Sequence, residues 1–190
     1  MLRIIKEPST ALLAFQRGEV DYLPSVPAND IPRLKANGDA KFITASSGPG
    51  GGNCIVTASF NLERDRLKDL NVRKAIAIAV DRNRMVEQVL FGQGKVAAAP
   101  ISSAIAWAHD PDALAGLSPS KDRANALLDA AGLKSDGGIR FKLDIIHFPT
   151  FNKYAELMKQ DLAKVGIDLI SRPWIARPLS TLLSASAISI

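Results

Sequence analysis

Apolar residues recur at helical spacing over two adjoining stretches, 71–80 and 82–90, and the rest of the chain is read around this pair. In the first, Val72, Ala75, Ile76 and Ala79 fall on one face, while Arg73 and Lys74 lie off it. In the second, Met85, Val86, Val89 and Leu90 make the apolar face. Asn71 is the expected N-cap of the first helix and Asp81 of the second, because a short side-chain oxygen can accept from the unpaired amides of the first turn. Gly92 and Gly94 then supply a stop. The spacing therefore predicts two helices meeting at Asp81, with Ile76 and Val89 buried.

Elsewhere the pattern predicts short strands at 2–5, 20–23, 41–45, 53–56, 141–146 and 167–170. Helices are expected at 11–16, 29–36, 118–131 and 151–165. Ser9 or Thr10 is the expected cap of the first of these, and Gly18 its stop. Ser118-Pro119 reads as a helix opening, with Ala124, Leu127, Leu128 and Ala131 inward and Gly132 at the end. Strand 141–146 alternates and so has one wet face, and the following helix turns Tyr154, Leu157, Met158 and Leu162 inward. Helix, strand, helix, strand from Ser118 onward predicts an α/β lobe.

Two stretches resist regular structure. Ser47-Gly48-Pro49-Gly50-Gly51-Gly52-Asn53 is a loop; a phosphate cradle would need a Lys-Ser/Thr pair after the last glycine and a helix behind it, so a hinge is the expected role. Residues 95–119 are long and irregular, with Pro100, Pro111 and Pro119 setting bends, and loops of such length are often functional. Trp107 in this loop is expected to pin it to the core, with ligand contact as the alternative, since an indole offers flat apolar area and a donor. Asp21 invites a catalytic assignment, but no partner acid or base is evident nearby, so a strand-end or turn-capping carboxylate is expected.

The order of residues says more than their period. Val72-Arg73-Lys74-Ala75-Ile76, Ala79-Val80-Asp81-Arg82 and Val89-Leu90-Phe91-Gly92-Gln93-Gly94 together resemble the signature of bacterial extracellular solute-binding proteins of the peptide/nickel type (family 5), which feed ABC importers. Asn61, closing Ser59-Phe60-Asn61, resembles the strand end that precedes this signature. Gly18-Glu19-Val20-Asp21, the run from Ala124 to Gly132, and Leu162-Ala163-Lys164-Val165-Gly166-Ile167 resemble further family elements. The resemblance extends to about Arg172. It implies one α/β lobe of a type II periplasmic-binding-protein-like fold, with helices packed on a mixed sheet. It also implies non-covalent capture of a peptide or related small solute between two lobes, docking on an ABC permease, and a periplasmic location. Ligand contacts are implied at Asn53, Asn61, Trp107 and His109. The expected organisation is a partial first-lobe or hinge segment over 1–46, the α/β lobe over 47–177, and an aberrant tail over 178–190. Family members continue through another helix and strand where this tail stands, so a truncated piece of a longer protein is expected, with no independent ligand binding as the rival reading. Edges left open by missing strands would favour self-association.

Composition narrows the alternatives. The 190 residues carry 47% hydrophobic and 23% charged residues, ordinary for a globular chain. Glu7-Pro8 follows Met1-Leu2-Arg3-Ile4-Ile5-Lys6 directly, so no signal-peptide hydrophobic region is expected. The net charge of +5 is dispersed among acids, as in Glu63-Arg64-Asp65-Arg66, which argues against a nucleic-acid partner. Cys54 is the single cysteine, so no internal disulfide forms and the redox compartment is undetermined. His109, His147 and Cys54 share no ligand spacing, so no metal is expected. No nucleophile-elbow pattern occurs, and neither a catalytic residue nor a cofactor is expected.

Overall fold

The computed structural model describes residues 3–38, 41 and 55–174. The chain divides into two compact units, one of Met1–Val56 with Val86–Ala113, the other of Thr57–Met85 with Leu114–Ile190. The boundaries expected at 46/47 and 177/178 both fall outside the described residues.

The first unit contains α1 (Pro8–Gln16) and α2 (Ile31–Asn37). Leu12, Ala14, Leu34 and Ala99 are its buried apolar residues. Pro8 opens α1 with Glu7 at the N-cap, in place of the expected Ser9 or Thr10; the Ser9 hydroxyl instead donates to the Glu7 carboxylate at 3.3 Å. Gly18 and Gly38, both at φ 72, carry the left-handed turns that end the two helices. The strands expected over 3–5 and 20–23 are not formed: these residues are extended or bent without ladder partners. A strand persists only where a neighbour takes up its backbone groups, and the described residues of this unit hold none. Residues 42–45 of the expected strand at 41–45 and residues 53–54 of that at 53–56 lie outside the described residues, as does the glycine-rich loop; Lys41, Ile55 and Val56 are irregular.

The second unit holds the main core. After the single turn α3 (Asp65–Lys68) comes α4 (Leu70–Ala79), which buries Val72, Ala75, Ile76 and Ile78. Its cap is Asp69 rather than Asn71: the Asp69 carboxylate accepts from the Asn71 amide at 2.7 Å, so the helix begins one residue earlier. At the next corner Asp81 caps α5 (Arg82–Gln88) as expected, accepting from the Arg84 amide at 3.1 Å. α5 is shorter than its apolar pattern suggested. It has no fully buried residue, and Val89 is half-buried just past its end, so the expected burial of Val89 does not hold.

The chain rejoins this unit at the 3₁₀ turn Ala115–Leu117 and enters α6 (Lys121–Ala130). Ser120, not Ser118, is the cap, accepting from the Arg123 amide at 3.3 Å; Pro119 therefore precedes the helix instead of standing in its first turn. The Ser120 amide donates to the Ile78 carbonyl at 2.8 Å, stitching the start of α6 to α4. Ala124 and Leu128 are fully buried on the α6 inner face. β1 (Phe141–His147) and β2 (Ile167–Pro173) run parallel in register Phe141↔Ile167 to His147↔Pro173, with α7 (Asn152–Ala163) as the crossover. Among the described residues the sheet has these two strands alone. Phe141, Leu162, Val165, Ile167 and Leu169 complete the core begun by α4 and α6. Tyr154 packs edge to face on Phe151 at 5.8 Å, and burial pushes its hydroxyl pKa up.

One polar cluster ties these elements. Asp161, on the inner face of α7, is 2% exposed. Its carboxylate accepts from the Asp81 amide at 3.0 Å and pairs with the Arg84 guanidinium at 3.1 Å and the Lys164 ammonium at 2.8 Å. Arg84 also donates to Gln160 at 3.0 Å. Arg82 donates to the Ala77 carbonyl at 3.0 Å and to the Leu117 carbonyl, clipping the 3₁₀ turn to the same corner.

Gly166, at φ 78 before β2, is a second fixed point. A Cβ there would lie 2.9 Å from Arg140 Cγ and 3.0 Å from the Gly138 carbonyl, and its own carbonyl accepts from the Arg140 amide at 2.7 Å. Gly132, also at φ 78, faces open space. Two stability rankings follow for urea titration. Ile76→Ala should cost about 2–4 kcal/mol through cavity formation, and Asp81→Ala about 1 kcal/mol through the lost cap; the reverse order would contradict the burial assignment. Gly132→Ala should lose only the left-handed strain of about 1–2 kcal/mol, and Gly166→Ala should lose measurably more. Equal losses would show that the close approach at Gly166 is not a constraint.

Candidate functional site

The residues implicated from sequence do not form one described cluster. Asn53 lies outside the described residues. Asn61 belongs to the second unit and is exposed; its side-chain oxygen accepts from the Glu63 amide at 2.9 Å, a local turn that shapes the approach to α3. Trp107 and His109 belong to the first unit, in the irregular loop.

Backbone pairing builds that loop. The Ile105 amide donates to the Ser102 carbonyl at 2.9 Å, and the Ala108 and His109 amides both donate to Ile105 at 3.0 Å. His109 Nδ1 lies 2.8 Å from the Ile101 carbonyl, so the half-buried imidazole closes the loop as a brace. Trp107, at the tip, is 91% exposed. The expectation that it pins the loop to the core is overturned. Backbone turns and His109 hold the loop, which leaves the indole free as a flat surface with its N–H available. Asp21 is likewise an exposed carboxylate.

A second group, at the carboxyl ends of the parallel strands, escaped the sequence reading. His147 Nε2 and the Ser171 hydroxyl are 2.7 Å apart, and His147 Nδ1 is 2.9 Å from the Phe148 carbonyl. A proton on Nδ1 would donate to that carbonyl and leave Nε2 to accept from Ser171. Phe148 and Trp174 meet edge to face at 5.4 Å, both more than half exposed, with Ile146 at 68% exposure beside them in β1. In open α/β sheets ligands bind beyond the carboxyl ends of strands. Alternating strand residues followed by two aromatics was the available signal. This surface offers stacking area and a polar pair; no described carboxylate orients the imidazole as a general base would require. Among the described residues no group of three or more His, Cys, Asp or Glu side chains could hold a metal ion. No described helix is long and apolar enough to cross a membrane.

The parallel β-α-β crossover with helices on its core is an α/β arrangement, and solved structures of periplasmic-binding-protein fold share it. NikA from Brucella suis, solved in complex with Fe(III)-EDTA, superposes with a TM-score of 0.74 at 25% identity, over 96% of this chain and 38% of that one. The sequence profile of the bacterial extracellular solute-binding proteins, family 5 Middle, matches residues 1–173, and the chain belongs to that family. The dipeptide-binding protein of Escherichia coli (strain K12) is 27% identical over 180 residues, covering 90% of this chain and 32% of its own length. The nickel-binding periplasmic protein of the same organism is 26% identical over 184 residues, covering 87% and 33%. The chain thus spans about a third of the length of these relatives.

A tryptophan held out by its loop should be dispensable for stability. Trp107→Phe is expected to change unfolding free energy by no more than about 0.5 kcal/mol, while removing the fluorescence component most accessible to acrylamide. A loss near 2 kcal/mol would restore the pinned reading.

Proposed function

We propose that the chain is part of the solute-binding component of an ABC importer, capturing a peptide or related small solute without covalent chemistry and delivering it to a membrane permease. The family match over residues 1–173 carries this reading. Relatives named for dipeptides and for nickel support a small-solute ligand class and a periplasmic location. The exposed Trp107 is the proposed ligand contact in the first unit. Asn53 and Asn61 are proposed contacts on the family resemblance alone, and His109 acts by holding the Trp107 loop. No catalytic residue or resident metal takes part.

A second reading concerns the 190 residues by themselves. They span about a third of the relatives' length, and a ligand held from two sides loses most of its contact area when one side is absent. Each lost decade of affinity is about 1.4 kcal/mol, so losing half the binding free energy moves a micromolar binder to about millimolar. The 190-residue chain alone is therefore expected to give no saturable Trp107 response to di- to pentapeptides, with Trp107→Phe reporting Trp174 as control. Binding tighter than about 100 μM would show that these residues carry a site unaided.

The transport reading itself is tested by grafting. Residues 1–173 are exchanged for the matching part of the Escherichia coli dipeptide-binding protein. A folded chimaera should bind a small solute from a peptide and metal-chelate panel, and Trp107→Phe should weaken that binding. A folded chimaera that binds nothing in the panel would argue against the proposal.

A further inference from the structure

A groove in the second unit has no part in the reading above. It has a volume of about 520 Å³ and runs between α4, the 3₁₀ turn and α6. Two similar ladders line it: Lys74 stands four residues before Ile78 on α4, and Arg123 four residues before Leu127 on α6. That spacing puts each cation and its aliphatic partner on the same helix face. Leu117 and Gly116 of the 3₁₀ turn complete the lining. Arg123 donates to the Gly116 carbonyl at 2.8 Å, which holds its guanidinium across the turn. No Asp or Glu lines the groove, and among the described residues neither Lys74 nor Arg123 forms an ion pair, although eight other ion pairs are formed.

We propose that this groove binds a small amphipathic carboxylate, its anionic head between Lys74 and Arg123 and its apolar body on the partly exposed Leu117 and Leu127, above the buried Ile78. The charge is complementary: two cations without carboxylate partners border an apolar floor, and an anion satisfies both while covering that floor. The volume lies within the range of about 300–1,000 Å³ common for small-molecule sites. Arg123 is already oriented by its bond to Gly116, so it loses little side-chain freedom on binding. A cation of the same shape would be repelled, which makes the sign of the head group the specificity element. The site lies wholly within one unit, so it is independent of solute capture through Trp107.

The test is a titration of the 190-residue chain with sodium decanoate, followed by calorimetry and by methyl chemical shifts, with decyltrimethylammonium as the charge-reversed control. Saturable one-to-one binding of decanoate is expected, with the largest shifts at Leu117 and Leu127 and none of comparable size with the cationic probe. Lys74→Gln alters an exposed side chain and preserves the fold; it should weaken decanoate binding by about fivefold. Arg123→Gln should weaken it at least as much, and Leu127→Ala should weaken it without changing the preference for the anion. Equal binding of both probes, an unchanged affinity in Lys74→Gln, or shifts centred on Ile146, Phe148 and Trp174 would each overturn the proposal.

Discussion

A carboxylate buried inside a helical crossover must be fully paired, and Asp161 sets that condition for the whole second unit. At 2% exposure it has lost nearly all its water, and leaving it uncompensated would cost several kcal/mol. Its partners come from a corner distant in sequence and from the end of its own helix. The Asp81 amide and the Arg84 guanidinium belong to the α4–α5 corner, and Lys164 to the end of α7. Lys164 is about half exposed and so screened, whereas Arg84 is mostly buried and carries more of the compensation. The corner can therefore sit in only one place against α7. That placement in turn aligns α4 with α6 through the bond from Ser120 to Ile78, and α7 with the sheet.

Much of this was legible in the residue pattern. The two strands, the helix between them and the inward faces of α4, α6 and α7 follow from periodicity, because each buries a contiguous stripe against a contiguous neighbour, and the Asp81 cap follows from its residue type. The misread caps have a common cause. Near both α4 and α6 two capping residues stand two apart, Asp69 with Asn71 and Ser118 with Ser120. Local sequence cannot say which one meets the first free amide. Asp161 did carry a signal. It lies between Met158 and Leu162 on a stripe read as apolar, and a charge on such a stripe implies a buried partner, here Arg84 from 77 residues upstream.

The candidate contacts were less legible for a different reason. Trp107 sits among residues without periodicity, so nothing in the pattern distinguishes an indole that packs inward from one held out. Its exposure is decided by the turns over 102–109 and by the brace from His109 to Ile101. The strand-end aromatics Phe148 and Trp174 come together only through the parallel register, which sequence separation of 26 residues hides. Family membership organises these observations, yet its signature at 72–94 falls largely on the corner that Asp161 secures. The most recognisable residues of the chain are in this sense largely structural, and the proposed solute contacts Asn53, Asn61 and Trp107 lie outside that signature.

The most direct measurement of this account is a double-mutant cycle between Asp161→Asn and Arg84→Met, read by urea unfolding of the single and double variants. If the pair fixes the corner, either single change should be strongly destabilising, and the two should couple by about 1–3 kcal/mol, because the second removes a partner already lost. Additive losses within about 0.5 kcal/mol would mean that Asp161 and Arg84 act independently, and that the fold of this unit does not depend on their contact.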